Sequence, residues 1–323
     1  MSSKTLVLTQ LLAMVMLLAS CDDDEGDSHQ SQTAWHAELL VPGGFHPVLS
    51  PNGDAFLFTG IDGSLNLWRS GQEHRVTDSG VVVRADYTWS VSDDGYFAYS
   101  VPGAPGDGSV TVASLAGESF SVWDRGSNPY LNVNEGYLLC AEPQGDSTEN
   151  GVWKFNLSDL SRVRLSANAL SCRAFSNGQL FAFLEPKPHS SGLSLQVQIA
   201  ESDSIILTID HVAGIDCRFH LSALGLEVVT NPDDVLNTTA IYRVDPTQSA
   251  QLQFIANPAT DVIVLQDGSL IYNRITSNQL GPLVLCVNGN ETVVSDSLYD
   301  ASANSKQLVL ATGQLGIYRL IFD

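Results

Sequence analysis

A turn that returns about every forty residues limits what this chain can fold into. It reads Ser50-Pro51-Asn52-Gly53-Asp54, then Ser92-Asp93-Asp94-Gly95-Tyr96, Asn132-Val133-Asn134-Glu135-Gly136-Tyr137 and Ser176-Asn177-Gly178-Gln179. Looser copies are Ser222-Ala223-Leu224-Gly225-Leu226, Gln266-Asp267-Gly268-Ser269 and, without a glycine, Ser302-Ala303-Asn304-Ser305-Lys306. Asn-Gly and Asp-Gly favour the positive φ of tight hairpin turns. The glycine spacings are 42 (53 to 95), 41 (95 to 136), 42 (136 to 178), 47 (178 to 225) and 43 (225 to 268). A period of about 40 residues is that of a four-stranded propeller blade.

Each turn is followed by a short apolar strand, such as Ala55-Phe56-Leu57-Phe58 or Leu180-Phe181-Ala182-Phe183, and then by a second run, such as Val110-Thr111-Val112-Ala113 or Gly316-Ile317-Tyr318-Arg319. These runs are β-branched or aromatic and many alternate in polarity, as strands do. Seven turns predict an all-β chain folded as a seven-bladed β-propeller, with six blades as the alternative count. The last unit ends after its third strand, and Trp35 to Val41 precedes the first turn. That segment is expected to supply the outer strand of the last blade, closing the ring without a free edge. The propeller then spans residues 35–323.

Residues 1–20 read as an export signal. Lys4 gives a weak positive charge, an apolar run extends from Leu6 to Leu18, and Ala19 and Ser20 precede Cys21. The run is shorter than the roughly 20 apolar residues of a spanning helix. It ends at once in Asp22, Asp23, Asp24 and Glu25. Leu18-Ala19-Ser20-Cys21 resembles the lipobox of bacterial lipoproteins. The resemblance implies a diacylglyceryl thioether on Cys21, cleavage before it, and a lipid bilayer as a partner. Two or more acyl chains suffice for stable anchoring. The implied location is the cell envelope, facing the periplasm. Asp22 resembles an inner-membrane retention signal and favours that membrane over the outer one. Residues 21–34, with five acids and no base, form an expected flexible tether.

The net charge is −21 and becomes −22 without residues 1–20, which hold Lys4. Such a surface repels phosphate backbones, so nucleic-acid binding is not expected. Apolar residues make up 44% of the chain, enough for a large core.

Pro47-x-x-Ser50-Pro51-Asn52-Gly53, followed by an apolar strand and Leu67-Trp68, resembles the repeats of TolB-like propellers. Trp89-x-x-Ser92-Asp93-Asp94-Gly95 is a second copy. The resemblance implies a propeller that binds proteins. TolB has a further N-terminal domain, where this chain has only the tether.

Motifs for catalysis are missing. The sequence holds no Gly-x-Ser-x-Gly elbow and no phosphate-cradling loop. Its seven histidines form no pair at metal-ligand spacing, so neither a metal nor a cofactor is expected. Asp86, Asp216 and Asp261 precede their turns at inner-strand depth, as do Arg84, Arg173 and Arg218. These six are candidates to line the central channel as an ion network. Cys172 lies six residues before Gly178 and Cys217 eight before Gly225. They form a candidate disulfide between neighbouring blades, provided their Cα atoms come within about 7 Å. The alternative is two buried thiols. Cys140 and Cys286 read as small core residues. The expected function is a non-enzymatic, monomeric platform that binds another envelope protein. The alternative is a channel that binds a small molecule or glycan, or processes a glycan or lactone.

Overall fold

A computed structural model describes residues 35–50, 52–78, 90–92, 95–101, 109–114, 116–142, 150–174, 180–187, 192–199, 204–212, 219–222, 225–233, 238–244, 253–256, 259–265, 267–276, 279–303 and 309–322. The signal, lipidation and tether expectations of residues 1–34 lie outside them. Among the described residues every helix or strand is a strand, as the repeat predicts.

The strands form antiparallel meanders, numbered here in chain order. The first sheet is β2 (Gly44–Leu49), β3 (Ala55–Gly60), β4 (Leu65–Arg69) and β5 (Gln72–Arg75). The second is β6 (Ser90–Val91), β7 (Tyr96–Val101), β8 (Ser109–Ser114) and β9 (Ser119–Trp123). The third is β10 (Ser127–Asn132), β11 (Tyr137–Glu142), β12 (Gly151–Asn156) and β13 (Arg162–Ser166). A larger sheet follows, with β14 (Ser171–Ala174), β15 (Leu180–Pro186), β16 (Leu193–Ile199), β17 (Ile205–Val212), β18 (Phe219–Ser222), β19 (Gly225–Asp233), β20 (Thr238–Val244) and β21 (Gln253–Ala256). Next come β22 (Ala259–Val264), β23 (Leu270–Thr276), β24 (Gln279–Val287) and β25 (Asn290–Ser295). The closing sheet joins β26 (Tyr299–Ala303), β27 (Val309–Gly313) and β28 (Gly316–Phe322) to β1 (Trp35–Pro42).

Among the described residues the sheets number six, the alternative count, and not the expected seven. The fourth and fifth sequence units are not separate sheets. Val212 of β17 pairs with Thr230 of β19, and this contact makes one eight-stranded sheet of them. The expected closure is present. Seven registered pairs, from Trp35↔Phe322 to Pro42↔Gly316, join the first strand to the last.

The repeated turn has a shared geometry. Gly53 N–H donates to Ser50 O at 3.0 Å, and Gly95 N–H donates to Ser92 O at 3.1 Å. Ser50 Oγ accepts from Ala55 N–H and Ser92 Oγ from Tyr96 N–H. Both glycines have φ +80, a region that side chains with a Cβ avoid.

The core lies in layers between sheets. Leu57, Leu65 and Leu67 of the first sheet pack with Val91 and Phe97 of the second. Val110 and Trp123 of the second meet Leu138 and Phe155 of the third. Val41, Leu310 and Ile317 of the closing sheet meet Phe56 and Phe58 of the first. A side chain such as Leu57, with no exposed surface, contributes roughly 1.5–3 kcal/mol by leaving water. The inner strands β2, β6, β10, β22 and β26 each touch an inner strand of an adjacent sheet.

Candidate functional site

The inner strands carry a recurrent bulge. In β2, Phe45 pairs with Thr59 and Val48 with Leu57, so His46 and Pro47 together oppose Phe58. In β10, Asn128 and Pro129 lie between the Ser127↔Ala141 and Tyr130↔Leu139 pairs. In β26, Asp300 and Ala301 lie between Tyr299↔Thr312 and Ser302↔Leu310. The first bulged residue is left-handed each time, with φ 52 at His46, 52 at Asn128 and 49 at Asp300. Such a residue costs on the order of 1–3 kcal/mol and persists only where its surroundings hold it.

Hydrogen bonds across the sheet boundaries supply that hold. Asn128 Nδ2 donates to Leu170 O at 3.1 Å. His46 Nδ1 is in a short contact with Asp300 Oδ2, linking the first inner strand to the last. His46 N–H donates to Thr312 Oγ1 at 3.0 Å, and Leu49 N–H donates to Ser302 Oγ at 3.1 Å. The Asp300 side chain is 12% exposed and that of His46 35% exposed. A carboxylate on Nδ1 fixes the orientation of the imidazole ring.

A cleft of about 450 Å³ borders this seam, lined by Pro42, Gly43, Phe58, Asn66, Glu73 and Arg75 among others. Phe58 is the residue that the His46 bulge opposes. In the cleft wall Asp62 accepts from Ser64 N–H and Oγ–H, and Arg75 Nη2 donates to its other oxygen at 2.8 Å. These bonds, first those from Ser64, hold the Asp62 carboxyl below the usual carboxylate range. Ile61 lines the cleft and is 83% exposed; Leu315, whose carbonyl meets the lining residue Gly43, is 64% exposed. Gly43 N–H donates to Leu315 O, and a Cβ at Gly43 would lie 3.8 Å from that of Ile61.

Asp86, Arg84, Asp216, Arg218 and Cys217 lie outside the described residues. Asp261 falls at the bulge of β22, between Thr260↔Asn273 and Ile263↔Ile271; its side chain is outside them too. Arg173 Nη1 donates to Cys172 O at 2.8 Å, and its guanidinium lies 5.7 Å from the centre of the Tyr130 ring. Cys172 is a buried free thiol, pushed up by burial. Cys140 and Cys286 are buried free thiols within hydrophobic clusters.

Of these bulge residues only Asp261 is among the channel-lining candidates named from the sequence; His46, Asn128 and Asp300 are not. A signal was available: His46, Asn128 and Asp261 precede their turn glycines by seven, eight and seven residues. Asp300 has no turn glycine from which to count.

The chain matches no protein-family model and no curated protein sequence. Its fold is shared with solved structures of low identity. An oligogalacturonate lyase from Vibrio parahaemolyticus is 13% identical, with a TM-score of 0.63 over 89% of this chain and 96% of that one. The β-propeller domain of Cps50 (Swd1) from Myceliophteria thermophila is 14% identical, with a TM-score of 0.59 over 88% and 97%. Streptogramin B lyase is 10% identical, with a TM-score of 0.56 over 90% and 98%. Two lyases and a Swd1 domain share the arrangement, so the likeness speaks for fold and not for activity. The chain is a β-propeller.

Proposed function

We propose that this protein is a lipid-anchored envelope protein whose propeller is a non-catalytic platform for another envelope protein, docked at the closure seam. The observation that carries the reading is that two strongly exposed apolar residues, Ile61 and Leu315, both approach Gly43 in the cleft lining. Apolar groups clustered beside a cleft mark interaction sites, whereas single ones scattered on a surface do not. The polar wall of Asp62 and Arg75 supplies the rim that such interfaces carry. Cys21 and the acidic tether would hold the platform at the membrane while the excess negative charge keeps it off anionic headgroups.

Mild cross-linking in native membranes, followed by purification of the lipidated protein, tests the proposal. A near-stoichiometric envelope partner is expected, lost in the Ile61→Asp/Leu315→Asp variant. Recovery alone, while a control complex cross-links efficiently, overturns it.

The Asp300-held His46 favours one second reading, a small-molecule site at the seam. A thermal-shift screen with small glycans and lactones tests it. Stabilisation lost in His46→Ala supports a ligand there, and no stabiliser removes it.

A further inference from the structure

The outer strands differ in charge. β1 carries Glu38, β17 carries Asp210, and β25 carries Glu291, so each has one net negative charge. β5 balances Glu73 with Arg75, and β9 and β21 have no charged residue. β13, with Arg162 and Arg164 and no acid, is the one net positive outer strand among those described. It belongs to a chain whose net charge is −21.

The two arginines are set on a shaped surface. They are two apart in a strand and so share a face. Arg162 Cζ lies 4.7 Å from the centre of Trp153 and 5.7 Å from that of Trp123. Arg164 Cζ lies 5.7 Å from Trp153. Its Nη2 donates to the carbonyls of Asn150 and Ala167. Both arginines are exposed. Between them Val163 is 58% exposed on the opposite face of the strand. Stacking on indole reduces the rotamer freedom that a free arginine would lose on binding a carboxylate. Lone edge charges usually keep strands apart. Here the cations lie back against tryptophan, and among the described residues no strand lies beyond the outer backbone edge of β13.

We propose that β13 is a second docking surface, which receives an extended acidic peptide segment as an added strand. The incoming backbone would pair with the outer edge of β13. Carboxylates at alternate positions would meet Arg162 and Arg164, and an apolar residue between them would pack beside Val163. Main-chain pairing supplies affinity in strand addition, and alternate side chains supply selectivity. This surface is independent of the closure seam.

The test uses the whole protein and a fluorescently labelled peptide in which Glu alternates with Val. Two control peptides replace Glu by Gln, or keep Glu and carry N-methyl groups at alternate backbone positions. Fluorescence anisotropy at low salt is expected to show saturable binding of the Glu peptide. Binding weakens about tenfold or more with Gln, with N-methylation, and in the Arg162→Gln/Arg164→Gln variant. The Ile61→Asp/Leu315→Asp variant binds the peptide as the unaltered protein does. The proposal is overturned if binding is not saturable, if the Gln peptide binds equally well, or if N-methylation has no effect. The peptide controls need no variant, so a misfolded double substitution does not remove the test.

Discussion

The closing sheet and the third sheet meet one geometric demand with different connections. A glycine opens the third strand in each, Gly316 in β28 and Gly151 in β12, with φ +146 and +108. A Cβ at Gly316 would lie 2.1 Å from Val41 O, and one at Gly151 would lie 1.9 Å from Ser166 O. In both places the missing side chain lets the outer strand approach. The third sheet's outer strand is bound to its neighbour by a short turn, where Asn156 N–H donates to Ser161 O at 2.8 Å. The closing sheet's outer strand comes from the other end of the chain, and Glu38 meets Arg319 across 281 positions. Loop closure costs more as the loop lengthens. The same local fault should therefore detach β1 more readily than β13.

Gly316→Ala should give the largest effect, a loss of about 4 kcal/mol or more by chemical denaturation. Hydrogen exchange should accelerate in residues 35–42. Gly151→Ala should cost less, about 2–3 kcal/mol, because the hairpin keeps β13 near its place. A larger loss in Gly151→Ala would break the comparison.

The bulges give the next test. His46→Ala leaves the nearly buried Asp300 carboxylate without its imidazole, and a loss of about 1–3 kcal/mol is expected. Asn128→Ala removes a bond to a carbonyl and leaves no charge behind, so about 1 kcal/mol is expected. Equal losses in thermal melts would show that the pair is no stronger than the single bond.

Alkali should separate the sheets in the other direction. Burial raises the pKa of Tyr130 and Tyr137, both in the third sheet. A raised pKa favours the neutral phenol in the fold. That stability is complete below about pH 10, the unfolded value, and is lost as pH rises through the folded values. Tyrosinate absorbance should lag behind that of free tyrosine, and exchange in residues 127–166 should rise with the titration. Normal phenol titration in the folded protein would count against this. The smallest effect belongs to Glu38→Ala. Its pair with Arg319 is about half exposed on both sides, so a loss below about 0.5 kcal/mol is expected in a melt.

The parts of this molecule that follow local rules were legible in the sequence. Ser50 to Asp54 and Ser92 to Tyr96 specify their own turns through nearby hydrogen bonds, and the lone segment Trp35 to Val41 fitted a sheet short of one strand. The sheet count was less legible, because it depends on Val212 meeting Thr230 across two units. The seam was missed for a similar reason. His46 and Asp300 lie 254 positions apart, and neither residue has a neighbour in sequence that announces the other. Left-handed φ at His46 and Asn128 is also unexpected for residues before proline, which local sterics push toward extended backbone.

The pairing of β1 with β28 fixes an order in time. Ribosomal synthesis delivers Trp35 long before Phe322, so the first strand made must wait for the last. The first sheet can assemble as a local meander as soon as Arg75 is available. The closing sheet cannot, and until it does β1 and β28 each present an unpaired backbone edge of the kind that aggregates. A ring closed by pairing β1 with β28 therefore becomes safe from those edges only when Phe322 has been delivered.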